Sequence, residues 1–334
     1  MPRRVYNQVY HPEIWEQVNP QSKELLEDFI LDMRTRKLSP NTIKQYHIDL
    51  RGFLCHLYTA YQNRSVLELT KKDLKRYALS LVEERNLSNA RRNGLIACLK
   101  SMLDFAEEDD DWGYEINASR LIKSLSKDPV KPIIFVPDSA VMKLYDDLMQ
   151  LQRYQHAALL MLAYESAARR AEMAQVEKFS FLDPSKNNTN VVVGKGGKKF
   201  SLIYFDLTRQ AALKWLEQRG QDDIADLFIA DVNGSRHEAD PMDVYQMFAG
   251  MRPLLEDLPG DDELDFTAHS MRHSALANYK DGSHHVCRDL GKPGFPIDQL
   301  QVLAHHDSAE TTLGYLPDMT NQELESMFGI EISV

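Results

Sequence analysis

Apolar residues recur at three- and four-residue steps through the first third of the chain, the spacing that gives each helix one buried stripe. The first such stripe is Leu25, Leu26, Phe29, Ile30 and Met33. Ser39 followed by Pro40 predicts the next helix start, with Ser39 as N-cap and Pro40 at the first helical position, where its missing N–H costs nothing. The stripe behind it is Ile43, Tyr46, Leu50, Phe53 and Leu54. Thr70 with Asp73 three positions on predicts a third start by reciprocal capping. A fourth helix from Ser88 or Asn89 carries Leu95, Leu99, Met102 and Phe105 inward. Residues 21–110 therefore read as a domain of about four amphipathic helices, preceded by an N-terminal extension over 1–20.

From Asp109 the periodic positions thin out and Pro129, Pro132 and Pro137 follow, so residues 111–137 read as an extended linker and 138–334 as a second domain with a C-terminal tail. Helical patterns at 139–150 and 154–163 lead into two β-rich runs joined by Gly194, Lys195, Gly196 and Gly197, which predicts a hairpin. Helices dominate from there to the end. The fold class expected is mainly α with a small antiparallel β-sheet, in two domains. In the tail, Leu324, Met327 and Phe328 share one helical face, which suits either the last helix of its own domain or a helix donated to a neighbour.

Composition narrows the class. A 334-residue chain with 43% hydrophobic and 27% charged residues reads as soluble and globular, and no apolar run approaches the roughly 20 residues a bilayer crossing needs. The start, Met1-Pro2-Arg3-Arg4, lacks the apolar core of a signal peptide, so the expectation is a cytoplasmic protein with no membrane contact. Cys55, Cys98 and Cys287 are odd in number and widely spaced, which implies no disulfide framework. The net charge of -11 argues at first against a nucleic-acid partner. Its distribution reverses that: residues 34–100 hold fourteen Lys or Arg against five Asp or Glu, whereas 104–115 hold seven acidic residues and no basic one. Charges farther apart than about 10 Å are screened at 0.1 M salt, so a basic domain acts locally.

Five stretches carry candidate chemistry. They are Leu38 to Phe53; Glu165 to Met173, with Arg169 and Glu172 at Arg-x-x-Glu spacing; Gly194 to Phe200 around Lys195; His269 to His273, with Arg272 at His-x-x-Arg spacing; and His306 to Tyr315, nine residues apart. The residue types fit attack on a phosphate. A tyrosine hydroxyl has a reference pKa near 10 and needs a base or a stabilised oxyanion. Guanidinium groups clamp non-bridging phosphate oxygens in pairs, and a lysine on a hairpin tip can protonate a departing oxygen.

In this order and spacing the five stretches resemble the tyrosine recombinases, the lambda-integrase or Xer-like phage integrase family. The resemblance implies a helical core-binding domain plus a mixed catalytic domain. It also implies a site-specific recombinase that cleaves and rejoins DNA through a 3′-phosphotyrosyl link. The site it implies is Arg169, Lys195, His269, Arg272 and His306 with Tyr315 as nucleophile, Glu172 in support, and neither metal nor cofactor. The groove-facing helices of that family correspond to Asn41, Thr42, Lys44, Gln45 and Arg51, and to Asn89, Arg91, Arg92 and Asn93. Partners implied are double-stranded DNA with inverted half-sites and further copies of the chain, a tetramer in the synapse. A type IB topoisomerase-like nicking-closing enzyme and a catalytically idle DNA-binding regulator are the alternatives. The short stretch before the first helix favours a simple two-domain recombinase. Integration or excision of a mobile element and chromosome-dimer resolution use the same chemistry and stay open.

The chain departs from the family pattern in three places. Ala167-Ala168 stand for Gly-Leu before Arg169. His305 stands where a glycine usually precedes the histidine. The 34 positions from Arg272 to His306 exceed the usual spacing by about ten, as the resemblance has it, and the excess falls at 280–296. His284, His285 and Cys287 in that stretch lack a fourth ligand at zinc spacing, so a surface insertion is expected there.

Overall fold

A computed structural model describes residues 10–126, 134–255, 266–306 and 308–313. The chain divides into two compact units, Met1–Lys131 and Pro132–Val334.

The first unit is helical: α1 (Pro12–Gln17), α2 (Pro20–Thr35), α3 (Pro40–Ala60), α4 (Lys71–Glu83) and α5 (Asn89–Glu108). The starts of α2 to α5 follow from their caps. Ser39 Oγ accepts from Thr42 N at 3.1 Å, Ser88 Oγ accepts from Arg91 N at 3.2 Å, and Thr70 and Asp73 cap each other's backbone N–H. The stripes close on one core in which Leu25, Leu26, Phe29, Leu50, Leu54, Leu99 and Met102 are buried. Each such side chain contributes about 1.5–3 kcal/mol.

Two expected boundaries move. The extension over 1–20 contains α1, whose Trp15 packs on the helical core together with Tyr10. The expected linker begins as part of the helical unit, because Trp112, Tyr114, Ala118 and Ile122 pack against the same core. Hydrogen bonds hold this return segment: Asn117 Nδ2 donates to Lys100 O (3.0 Å), Arg92 Nη1 to Lys123 O (2.8 Å) and Asn93 Nδ2 to Leu125 O (2.8 Å), while Leu125 N donates to Asn93 Oδ1 (3.0 Å). Side-chain-to-backbone bonds of this kind leave no periodic signature, so the stretch looks like a linker in sequence.

The second unit has α6 (Asp138–Gln150), α7 (Tyr154–Ser166), α8 (Arg170–Met173), β1 (Asn188–Val193), β2 (Lys199–Ile203), α9 (Asp206–Arg219), β3 (Ile229–Val232), β4 (Ser235–Glu238), α10 (Pro241–Met251), α11 (Ala268–Asp281), α12 (His285–Asp289), α13 (Ile297–Leu303) and α14 (Ala309–Leu313). Helix α7 is its axis. Residues 157–166 are all buried, against α6, α9 and α11, so the helix shows no amphipathic period. The expected hairpin is β1 against β2, antiparallel, with Val192 opposite Phe200 and Val193 opposite Lys199. A second hairpin, β3 with β4, was not expected: Ser235–Glu238 is exposed throughout, so no alternation betrays a strand. Among the described residues no helix is long and apolar enough to cross a membrane, and the three cysteines are free and buried.

The stretch 280–296 is not a surface insertion throughout. His284, His285, Val286 and Cys287 are buried, with the His284 ring sandwiched between Tyr279 (3.7 Å between centroids) and Tyr164 (4.0 Å). Residues 284–287 thus belong to the second core, whereas 288–293 are exposed.

Candidate active site

One helix end and two helix starts build the cleft. Helix α7 terminates at Ala167, which takes a left-handed conformation (φ 50°) and turns the chain so that Arg169 heads the short α8. Glu172 then reaches back, accepting from Arg169 N at 2.8 Å through one carboxylate oxygen and from Arg169 Nη1 at 3.0 Å through the other. Glu172 is 1% exposed, so its role is to fix the arginine's turn. Across from it Thr267 caps α11, accepting from His269 N and Ser270 N. His269 and Arg272, three residues apart, therefore rise on one face of α11. Arg169, His269 and Arg272 line a single cleft of about 470 Å³, together with Arg170, Thr267 and Tyr245.

Arg272 is 1% exposed and is held by the carboxyl ends of two helices. Its guanidinium donates to Ala167 O, at the end of α7, and through Nη2 to Ala304 O (2.6 Å), at the end of α13. Both carbonyls lie at the negative pole of a helix dipole, which suits a cation. The same Nη2 meets His306 Nε2 at 2.6 Å. An arginine N–H can only donate, so His306 Nε2 accepts and the ring carries its proton on Nδ1, which faces Thr312 Oγ1 at 2.9 Å. A threonine hydroxyl serves either tautomer, since it can accept from Nδ1–H or donate to Nδ1. Burial, with Arg272 and Arg169 close by, holds the pKa of His269 below 6.5, so its ring is neutral at neutral pH.

His306 owes its aim to the way α13 ends. His305 N donates to Val302 O (3.1 Å) and His306 N to Gln301 O (3.1 Å), with His305 left-handed at φ 52°. These are the two bonds of a Schellman stop, whose left-handed position most often holds glycine. Here it holds a histidine, and the His305 ring stacks on Phe200 of β2 at 3.6 Å between centroids.

Lys195 sits at the exposed tip between β1 and β2, where Gly196 and Gly197 take φ of 76° and 77°. It does not line the cleft of Arg169 and Arg272. Tyr315 and the tail over 321–334 lie outside the described residues. Thr312 and Tyr245 went unnoticed in sequence. The His-to-Thr spacing ahead of the tyrosine was a signal for the first; Tyr245 comes from α10, and nothing local marks it.

The candidate DNA-contact residues divide. Asn41, Thr42, Lys44 and Gln45 are exposed on α3, with Gln45 Nε2 also donating to Asp49 Oδ1 at 2.9 Å. Four others are engaged within the helical unit. The Arg51 guanidinium lies over the Tyr10 ring (4.1 Å) and the Trp15 ring (4.7 Å). Arg91 forms a two-pronged ion pair with buried Asp49, Nη1 to Oδ2 at 2.7 Å and Nη2 to Oδ1. Arg92, 6% exposed, and Asn93 hold the return segment. Asn89, at the first turn of α5, is half-buried.

Ligand atoms of Asp138, His284 and His285 lie within 4.8 Å of one another. Their hydrogen bonds make them a structural network. His284 Nδ1 accepts from Val286 N (3.2 Å) and its Nε2 faces Tyr164 O (3.3 Å). Asp138 accepts from Tyr164 Oη and His285 N, both at 2.9 Å, and from Arg288 Nη2 at 2.6 Å. With both ring nitrogens of His284 engaged and a guanidinium on the carboxylate, this donor set does not suit a cation.

A helical unit followed by a mixed unit, with Arg169, Arg272 and His269 on one cleft and His306 bonded to Arg272, defines a protein of the tyrosine recombinase type. The chain belongs to the phage integrase family, the tyrosine recombinases: residues 25–105 match the phage integrase N-terminal SAM-like domain and residues 135–321 the phage integrase family itself. It is 26% identical over 223 residues to the SPbeta prophage-derived recombinase-like protein YomM of Bacillus subtilis (strain 168), a match covering 63% of this chain and 66% of the relative, a little under two thirds of that protein's length. Its fold is similar to that of XerH site-specific recombinase bound to palindromic difH substrate (TM-score 0.65, 16% identity, 88% of this chain and 82% of that one). It is also similar to a lambda integrase dimer bound to a COC' core site (0.63, 14%, 88% and 94%). A third similar structure is the Tn1549 transposon integrase in complex with transposon right end DNA (0.62, 16%, 92% and 99%). At these identities the likeness is one of fold.

Proposed function

We propose that the chain is a site-specific DNA recombinase that cleaves and rejoins duplex DNA through a 3′-phosphotyrosyl intermediate. The observation that carries this reading is the cleft in which Arg169 and Arg272 converge beside a neutral His269, with His306 bonded to Arg272. Arg169 and Arg272 clamp the non-bridging oxygens of the scissile phosphate, where negative charge builds in the transition state. The Tyr315 oxygen attacks phosphorus as its proton passes to His269. The bond from phosphorus to the 5′-oxygen breaks, and the Lys195 ammonium protonates that oxygen. When phosphate takes Arg272 Nη2, His306 Nε2 is released; Thr312 supports the tautomer in which Nε2 donates to the phosphate. Rejoining runs the same steps backwards with a 5′-hydroxyl from the same or a partner duplex.

DNA is the partner of both units in this reading, with the polar α3 face of Asn41, Thr42, Lys44 and Gln45 toward a groove and a tetramer of protomers on two inverted-repeat sites. The similarity to recombinases and integrases solved with DNA supports it. The test is covalent capture: incubated with a nicked suicide duplex bearing its site, the parent chain gives a protein–DNA adduct on a denaturing gel. Tyr315→Phe binds the duplex and gives none. An adduct that survives in Tyr315→Phe overturns the assignment of the nucleophile.

A further inference from the structure

His305 occupies a position that works against it. A left-handed backbone is unfavourable for a residue other than glycine, and the helix stop at the end of α13 needs only a backbone there. The side chain held there makes a contact that a glycine could not. The His305 ring is stacked on Phe200 with 19° between the planes. Phe200 is the second residue of β2, and its ring also fills the space at Gly194, where a Cβ would lie 2.6 Å from Phe200 Cε1 and 3.1 Å from Glu172 Oε1. Gly194 N donates to Lys198 O at 2.8 Å and closes the turn that carries Lys195. The base of the lysine hairpin is therefore seated between His305 on one side and the Glu172 carboxylate, which holds Arg169, on the other.

We propose that His305 is a positioning residue for strand cleavage: its stack on Phe200 docks the base of the Lys195 hairpin onto the Arg272–His306 pair and so sets the reach of the proton donor to the leaving 5′-oxygen. The inference rests on the recombinase reading above. His305 touches no reacting atom. It adjoins His306 directly, so one short segment ties the phosphate-binding histidine and the lysine hairpin into a single unit. Burial lowers the pKa of its ring, opposed by Glu172 and aided by Arg272, Arg169 and Lys198, so the stacked ring is neutral at neutral pH. Aromatic pairs contribute up to about tenfold in an equilibrium. Losing this one frees the hairpin at its base.

His305→Gly separates this role from a merely structural one, because it removes the ring and relieves the backbone strain together. The variant should melt no lower than the parent and bind its duplex with unchanged affinity, while its single-turnover cleavage falls on the order of tenfold. His305→Phe, which keeps a ring on Phe200, should restore the rate with the parent's pH profile. The decisive readout is a duplex with sulfur in place of the leaving 5′-oxygen, since a thiolate leaves without a proton donor. On it the defects of His305→Gly and of Lys195→Ala should both shrink to within about twofold of the parent. If Lys195→Ala is slow with oxygen and rescued by sulfur, but His305→Gly matches the parent or stays slow with sulfur, the positioning role is wrong. If His305→Phe is as slow as His305→Gly, the ring acts by its nitrogens and the stack is not the cause. If Lys195→Ala cleaves the oxygen substrate at the parent rate, the assignment of Lys195 fails first, and the positioning role falls with it.

Discussion

Arg91→Ala separates scaffold from DNA contact in the helical unit. The Asp49 side chain is 3% exposed and that of Arg91 22%, and the two meet through both guanidinium nitrogens. Removing the arginine leaves a buried carboxylate with the Gln45 amide at 2.9 Å and the Cys98 thiol at 3.8 Å. Breaking a buried pair from one side costs about 3–5 kcal/mol. The partial exposure of Arg91 lets water into the vacated space, which puts the expected loss near the lower figure, about 3 kcal/mol. For a domain of this size that corresponds to a fall in Tm of roughly 10–20 °C. Urea unfolding followed by the fluorescence of Trp15 and Trp112, in a Trp215→Phe background, reports the helical unit. Asp49→Asn added to Arg91→Ala should recover more than half of the loss, since it removes the stranded charge. DNA affinity measured against salt, at a temperature where the variant is folded, should keep the parent's slope. Lys44→Ala, by contrast, should lower the slope by about one unit. An Arg91→Ala variant within 1 kcal/mol of the parent in stability (about the median cost of a point change) whose salt slope drops like that of Lys44→Ala would refute the argument and return Arg91 to the DNA surface.

Three further outcomes follow from the second unit. Burial pushes the Glu165 carboxyl up to about 7, against hydrogen bonds from Thr208 and Phe205. As pH rises from 4.5 to 7 the unfolded chain loses its proton first, and stability on the order of 3 kcal/mol is lost over that window. Glu165→Gln should flatten the decline in urea titrations, relative to the parent. An unchanged decline would show that Glu165 is ionised throughout. Since His269 must be unprotonated to accept the tyrosine proton and its pKa lies below 6.5, the acid limb of cleavage should fall below pH 6.5; a limb above pH 7 would exclude it as the base. Thr312→Val should slow cleavage about tenfold, the cost of one buried hydrogen bond, with Thr312→Ser near the parent. Equal rates for the two would remove Thr312 from the control of His306.

What could be read from sequence was whatever depends on neighbours along the chain. The helix starts at Ser39, Thr70 and Ser88 are local events, each a side chain meeting a backbone N–H three residues on, and all three were legible. The glycine turn around Lys195 and the His269–Arg272 pair on one helix face belong to the same kind. The order and spacing of the five stretches then identified the family, because a phosphate site drawn from several elements leaves its residues in a set order even when they lie far apart.

Tertiary structure decided what each charged side chain faces. Arg91, Arg92 and Lys44 look alike in sequence, as basic residues off a buried stripe. Asp49, four positions beyond Gln45 on α3, makes Arg91 an internal ion pair, and the return segment over 117–125 buries Arg92. Neither partner lies within reach along the chain. The histidines of 284–285 likewise read as a surface stretch until Tyr164 and Tyr279, from two other helices, close on them. The seat of the Lys195 hairpin is of the same nature: a Schellman stop at the end of α13, a ring from β2 and a carboxylate from α8 meet only once the second core has packed. Local capping and periodicity are short-range physics and are written in the sequence; burial and charge pairing are set by elements many residues apart, and only the fold brings them together.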